Sequence, residues 1–298
     1  MRGKAYLNIH DGLGNQLFQL AAGYAYAKKN GKQLHVLYKP KPDTYGRCLL
    51  VDQLLSEEFR RKILFQSKSE MGIAFRASRK IRRKLFPWTY IQEDVTSHDK
   101  DNQLEILSRR GMVELFGFWQ DEDFFLPVAR ELRDNIKINV PLEDQYQQMQ
   151  EKICNTNSVC IGARLYEDNG RDHTTEAEDS FRVLMQRAEC MESVLPEAHF
   201  FIFSSSENKI LEELCSRRKN MTLARTKDGI TETLQTLKIM SHCKHHIFNQ
   251  STFYWWAAWL SETIHGVGQY MIIPPERLFC ASRSGIPARW IKSAKSLA

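Results

Sequence analysis

The chain opens on a strand-turn-helix signal that restricts it to an α/β fold. Lys4 to Ile9 is a short apolar run, Asp11-Gly12-Leu13-Gly14-Asn15-Gln16 is a polar turn, and Phe18, Ala21, Ala22, Ala25 and Tyr26 recur at helical spacing. The glycines are expected to let the backbone turn tightly and approach a ligand. Asn15 and Gln16 then stand at the strand-helix junction, where paired donors and acceptors can orient a sugar. The turn lacks the GxGxxG order of a dinucleotide site, and its competing reading is a tight turn with Asn15 capping the helix.

Strand and helix signals alternate through the rest of the chain. Gln33 to Leu37, Met112 to Phe118, Ser158 to Gly162 and His199 to Ser204 read as buried strands, with helices over Asp179 to Ser193 and Glu207 to Ser216. A length of 298 residues accommodates two units of about 150 residues each. The polar stretch Val140 to Gln147 marks the boundary, so the expected domains are 1–150 and 151–298, two Rossmann-like α/β units with a cleft between them.

No run approaches the roughly 20 apolar residues needed to cross a bilayer, and none follows Met1, which predicts a cytoplasmic protein. Seven cysteines without a close CxxC pair predict free thiols, Cys160 and Cys243 among them as small buried apolar residues. The net charge of +6 is concentrated between Arg76 and Lys84, beside Phe75, Ile81, Leu85, Phe86 and Trp88. Such a segment can rest peripherally on an anionic membrane. Its plainer reading is a solvated helix whose apolar side packs on its own domain. Zinc-finger, RNA-recognition and homeodomain patterns are missing, which argues against a nucleic-acid partner.

Two features of the second half carry chemistry. The strand ending at Gly162 delivers Arg164, Glu167 and Asp168 to its carboxyl end, where open α/β sheets bind ligands. Arg164 can pair with a diphosphate and stabilise charge as a nucleotide leaves, or it can form an ordinary surface pair with an acid. Further on, Ser251 and Thr252 precede an aromatic helix signal, Phe253-Tyr254-Trp255-Trp256. Their hydroxyls, with the free backbone donors of that first turn, suit a diphosphate, and Gln250 adjoins them. Trp255, Trp256 and Trp259 read as core anchors. His242, His245 and His246 lack the HExxH arrangement and a carboxylate in register, so no metal is expected; helix capping, buried hydrogen bonding or phosphate contact remain for them.

In order along the chain, DGLGNQLFQLAAGYAYA, GFWQDEDFF, the Arg164 segment, FIFSSSENK and MSHCKHHIFNQSTFYWWAAWL resemble the α-1,2-fucosyltransferases of glycosyltransferase family 11 over nearly the whole length. The resemblance implies a GT-B-like pair of Rossmann domains and inverting, metal-independent transfer of fucose from GDP-fucose, a substrate rather than a cofactor, to a galactose-containing glycan acceptor. It puts the acceptor side, with Gly12, Gly14, Asn15 and Gln16, in the first domain. GDP-fucose falls to the second, with Arg164, His242, Gln250, Ser251 and Thr252. Three positions depart from the pattern. Asp11 replaces the usual first glycine of GGLGNQ; in HxRRxD, Gly162 stands at the histidine and Leu165 at the second arginine; and an acidic FSDD-like segment becomes Phe203-Ser204-Ser205-Ser206. Arg164 is the expected diphosphate stabiliser, and Glu167 the first candidate for the base, with Asp168 and Asp11 as alternatives. The departures leave open a transferase for another nucleotide-sugar, or a glycan-binding protein without turnover.

Overall fold

The structure, a computed structural model, describes residues 3–44, 46–93, 111–163, 174–204, 209–225, 230–266, 272–275 and 285–290. These fall into two compact units: the first takes the described residues up to Lys137 together with Gly285, and the second takes the rest from Ile138 onward. The expected boundary at 150 therefore lies too late. Val140 to Gln147 is polar because it leads into and begins a surface helix of the second unit: Glu143 N donates to Gln235 Oε1 at 2.6 Å and Lys238 Nζ to the Val140 carbonyl at 2.8 Å.

In the first unit the described elements are β1 (Lys4–Asn8), α1 (Leu13–Lys29), β2 (Gln33–Tyr38), α2 (Glu57–Arg61), β3 (Ile63–Ser67), α3 (Ile73–Leu85), β4 (Tyr90–Gln92), β5 (Met112–Phe116) and α4 (Ala129–Asn135). The strands form a parallel sheet in the order β3-β2-β1-β5-β4. Its central strands read as unbroken apolar runs because both faces are covered. Helix α1 is buried on nearly every side, and at Gly23 a Cβ would come within 2.8 Å of Leu7, so glycine permits the close approach of α1 to β1.

The second unit repeats the pattern with α5 (Asp144–Cys154), β6 (Asn157–Gly162), α6 (Thr174–Val194), β7 (Ala198–Ser204), α7 (Lys209–Arg217), β8 (Met221–Arg225), α8 (Ile230–Ser241), β9 (His245–Phe248), α9 (Thr252–His265) and β10 (Ile272–Ile273). The parallel order is β10-β9-β6-β7-β8. Val159, Ile161, Phe200, Ile202 and Ile247 form the centre of its core, with Leu184, Ala188 and Met191 of α6 against them. Trp255, Trp256 and Trp259 of α9 are fully buried, as their spacing predicted. Cys160 and Cys243 are buried free thiols. None of the described helices is long and apolar enough to cross a membrane.

In the first sheet the chain crosses from β3 to the outer strand β4 and steps back to β5, which lies beside β1; the second sheet reverses its strand order once, between β6 and β9. A crevice opens beyond the carboxyl ends of the strands at such a reversal, which makes it the default ligand position in this class of sheet.

Helix α3 bears out the plainer reading of the basic segment only in part: Phe75 packs on Tyr6, Leu37 and Met71, its ring 5.4 Å from that of Tyr6, while the other inward contacts are ionic. Arg79 and Arg83 turn inward and together grip the buried Glu114 carboxylate of β5; Arg79 Nε reaches Oε2 at 3.2 Å and Arg83 Nε at 3.1 Å. Asn8 of β1 adds a bond to Oε1 at 2.8 Å. Burial alone pushes the Glu114 pKa up, but the hydrogen bonds from Arg83, Arg79 and Asn8, with the Arg79 charge, overcome it and hold the carboxyl below its ordinary value. The helix is thus docked by Arg79, Arg83 and Phe75, and Ile73, Ile81 and Leu85 face outward.

Candidate functional site

At the carboxyl ends of the adjacent strands β1 and β5, the chain leaves β1 through Ile9 and His10 and turns into α1 at Asp11. The positive φ of this turn falls on Asp11, at 73°, and not on either glycine: Gly12 is the extended N-cap of α1 and Gly14 lies buried inside the helix. The sequence expectation that the glycines supply the unusual backbone is therefore corrected; an aspartate, which tolerates the left-handed region better than most residues, occupies it. Its carboxylate pairs with Arg47 and lies 4.0 Å from His10 Nδ1.

Gln16 is also corrected. Its side chain is buried, with Nε2 donating to the carbonyls of Asp11 at 2.8 Å and Cys48 at 2.7 Å, while Oε1 accepts from Leu50 N at 2.9 Å and Val51 N at 3.3 Å. Both donors and both lone pairs are used, so Gln16 ties the loop after β2 to the turn after β1 and has nothing left to offer a sugar. Asn15, in contrast, is half-buried and accepts one bond, from Gln120 Nε2 at 2.9 Å. That pair leaves the Asn15 amide nitrogen and the Gln120 carbonyl oxygen free of protein partners among the described residues, a donor and an acceptor side by side. Gln120 reaches this position on a loop locked by Glu93, whose Oε2 accepts from Phe118 N at 2.6 Å and Trp119 N at 2.9 Å and holds Trp119 at a φ of 56°.

His10 completes the edge. It stacks on Phe116 at 5.3 Å and meets the edge of Phe118 at 5.0 Å. Burial lowers its pKa, with Lys68 and Lys39 pushing the same way against the Asp11 charge, so the imidazole is neutral near pH 7. Gln19 fixes the ring: its Oε1 accepts from the His10 backbone at 3.0 Å, which leaves Nε2 to donate to His10 Nε2 at 3.3 Å. The ring proton then sits on Nδ1, on the Asp11 side. Sequence reading missed His10, Gln19 and Gln120, although Gln120 lay inside the GFWQDEDFF segment.

At the reversal of the second sheet, the described residues contribute mainly backbone and small side chains. A Cβ on Gly162 would lie 2.5 Å from the ring of Tyr254, whose hydroxyl donates to the Phe203 carbonyl at 3.3 Å. The tyrosine ring fills the space a side chain at 162 would need, a physical reason for glycine at this position. Beside it Ser251 caps α9, its hydroxyl accepting from Tyr254 N. The backbone N–H groups of Thr252 and Phe253 begin the helix and have no carbonyl within it, an arrangement that favours an anion. Gln250 is exposed and Thr252 buried at this edge. Arg164, Glu167 and Asp168, which follow Ala163 from the same strand end, lie outside the described residues, as do Ser205 and Ser206.

The histidines do not belong to this edge. His242 Nδ1 lies 2.8 Å from the Lys238 carbonyl, His245 Nε2 3.2 Å from Asn157 Oδ1, and His246 Nε2 3.1 Å from the Cys243 carbonyl. They sit before and within β9, so the strand, about 10 Å at 3.3 Å per residue, separates His242 and His245 from the capped start of α9. The phosphate role expected of His242 gives way to capping of α8. Among the described residues, no group of three or more His, Cys, Asp or Glu side chains is placed to hold a metal.

No family model matches the chain. The chain shares its fold with fucosyltransferases of known structure. Its fold matches the NodZ α-1,6-fucosyltransferase soaked with GDP-fucose, with a TM-score of 0.50 over 87% of this chain and 93% of that one at 12% identity. POFUT1 in complex with GDP-fucose matches with a TM-score of 0.51 over 94% and 98%, also at 12% identity. A mutant of Arabidopsis thaliana FUT1 in complex with GDP gives 0.51 over 95% and 72%, at 12% identity. In sequence, the chain is 28% identical over 308 residues to an alpha-1,2-colitosyltransferase of Escherichia coli, covering 95% of this chain and 97% of that protein. Two Rossmann-like units, as in GT-B-like enzymes, are thereby shown for this chain.

Proposed function

We propose that the protein transfers a 6-deoxy-L-hexose, with L-fucose the first choice, from its GDP-linked form to a galactose-containing glycan, inverting the donor to make an α-1,2 linkage. The observation that carries this reading is the end-to-end match to an α-1,2-glycosyltransferase by a chain whose two parallel sheets each present a polar edge at the carboxyl ends of their central strands. The fucosyltransferase folds, two of them holding GDP-fucose, support the donor class.

In this mechanism the acceptor hydroxyl attacks the anomeric carbon from the face opposite the phosphate. The bond from that carbon to the phosphate oxygen breaks, GDP departs with the electron pair, and the hydroxyl proton passes to a carboxylate. Arg164 and the first-turn amides of α9 neutralise the charge gathering on GDP, with Ser251, Thr252 and Gln250 beside them, and no divalent metal takes part. Glu167 is assigned as base, with Asp168 and Asp11 as the alternatives to be substituted separately. Asn15 and Gln120 orient acceptor hydroxyls. We place the reaction in the cytosol.

A second donor is favoured by a specific observation: the matched E. coli enzyme is a colitosyltransferase, and colitose is fucose without its 3-hydroxyl. Purified protein incubated in chelator with GDP-fucose, GDP-colitose, GDP-mannose and UDP-sugars distinguishes the readings. Product from GDP-colitose but not GDP-fucose changes the donor and keeps the reaction. Glycan binding without turnover on any donor replaces transfer by recognition alone. Arg164→Ala is expected to lower turnover roughly 10²- to 10³-fold with an unchanged melting temperature; unaffected transfer removes Arg164 from this role.

A further inference from the structure

Helix α3 is amphipathic in the reverse of the usual sense. Its arginines dock it on the sheet, and the face opposite them is apolar. Ile73 is 79% exposed, Ile81 58% and Leu85 59%, and the stripe continues past the helix into Phe86 and Trp88, whose rings meet edge to face at 5.5 Å. Rolling the helix over would bury these side chains, but it would strand Glu114 in the sheet without Arg79 and Arg83 and leave an uncompensated buried charge. The orientation is therefore fixed from inside, and the apolar face has no partner among the described residues. Exposed Arg76, Lys80 and Lys84 flank it, and the segment from Met71 to Gln92 contains no acidic residue.

We infer that this face docks on an anionic lipid bilayer, with α3 lying in the plane of the interface. Aliphatic side chains gain nothing from a nucleic acid, whereas insertion among acyl chains removes them from water. A symmetric contact between two copies would set Arg76, Lys80 and Lys84 against their own counterparts, which charge disfavours. At about 20 Å for its length, α3 is too short to span a bilayer. Trp88 and Phe86, at the end of the stripe, suit the headgroup boundary where aromatic rings collect. The inference stands independently of the transferase reading.

The molecule carries its own reporter. Five of its six tryptophans are buried, and Trp88 alone is exposed. Full-length protein is mixed with vesicles of phosphatidylcholine alone or with phosphatidylglycerol, at low and high salt, and binding is read by co-sedimentation and by quenching of tryptophan fluorescence with brominated lipid. Salt-sensitive binding to the phosphatidylglycerol vesicles is expected, with quenching that disappears in Trp88→Phe. Lys80→Gln with Lys84→Gln should weaken binding roughly 25-fold, about fivefold per charge removed. Ile81→Asn with Leu85→Asn should abolish quenching, while the melting temperature shows that the fold is retained. No binding at low salt overturns the inference, as does binding indifferent to all these substitutions. A concentration-dependent dimer broken by Ile81→Asn, or nucleic-acid binding in place of vesicle binding, assigns the face to another partner and overturns it equally.

Discussion

At the carboxyl edge of β1 and β5 in the first sheet the surface is made by side chains: Asp11, His10, Asn15 and Gln120 converge there, and Gln16, Gln19 and Glu93 hold them. At the reversal of the second sheet the described surface is made by backbone, the bare Cα of Gly162 and the first amides of α9 under a serine cap. The described residues of the two edges thus differ in kind. Amides and a carboxylate can select among sugar hydroxyls by donor and acceptor pattern, whereas unpaired backbone N–H groups hold an anion with little regard for what is attached to it. The division fits an acceptor side and a donor side, as proposed, and it makes the two edges fail differently when mutated.

The largest expected effect separates neighbours within the first edge. Gln16→Ala removes a buried carboxamide that satisfies two backbone amides and two carbonyls, and it should destabilise the first unit by about 3 kcal/mol. Asn15→Ala should leave the unfolding free energy within about 0.5 kcal/mol of the parent and instead raise KM for the acceptor. Chemical denaturation with acceptor kinetics on the same preparations checks both. If Gln16→Ala raises acceptor KM at unchanged stability, the division of labour drawn from the hydrogen bonds is wrong.

A smaller effect tests the second edge. Gly162→Ala places a Cβ against the Tyr254 ring, and the overpacking should lower stability by about 2 kcal/mol. The double variant Gly162→Ala with Tyr254→Ala should recover part of the sum of the two single losses, because the collision is shared. Strict additivity would mean that the ring and the strand end do not meet.

These contrasts explain how far the sequence could be read. The alternation of apolar runs and helical periodicity identified the strands Gln33–Tyr38, Asn157–Gly162 and Ala198–Ser204 to within a residue or so, because burial on both faces leaves a local signature. Ser251 as an N-cap was legible for the same reason: a cap is a local event. Gln16 was misjudged because its four partners come from Asp11 and from the distant loop at Cys48 to Val51, which no spacing along the chain announces. Gly162 looked like a lost histidine until Tyr254, on another element, was seen to occupy the space. The arginines of α3 read as a solvated face because the carboxylate that draws them inward, Glu114, lies in a strand far along the chain. Short β9 went unseen because its two histidines drew attention to ligation, when they are strand residues with buried rings.

His246 turns that last correction into a measurement, with the smallest effect of the three. Burial pushes its pKa down to about 3, and the positive charges available to His245 and His265 act in the same direction, against a hydrogen bond to the Cys243 carbonyl. In the unfolded chain the group titrates near its ordinary value of about 6.5. Between these values the unfolded state binds the proton and the folded state does not. Stability therefore falls as pH drops from about 6.5 toward about 3, and above about 6.5 the group has no pH effect. At about pH 5 the loss is at most about 2 kcal/mol from this residue. His246→Gln has no proton to gain and should show a correspondingly smaller drop in urea midpoint between about pH 7.5 and pH 5, so the pH-dependent difference between parent and variant isolates the histidine from carboxylates that titrate lower. Equal drops would show that His246 takes up its proton in the folded state, which its position inside the second sheet, away from the capped start of α9, forbids.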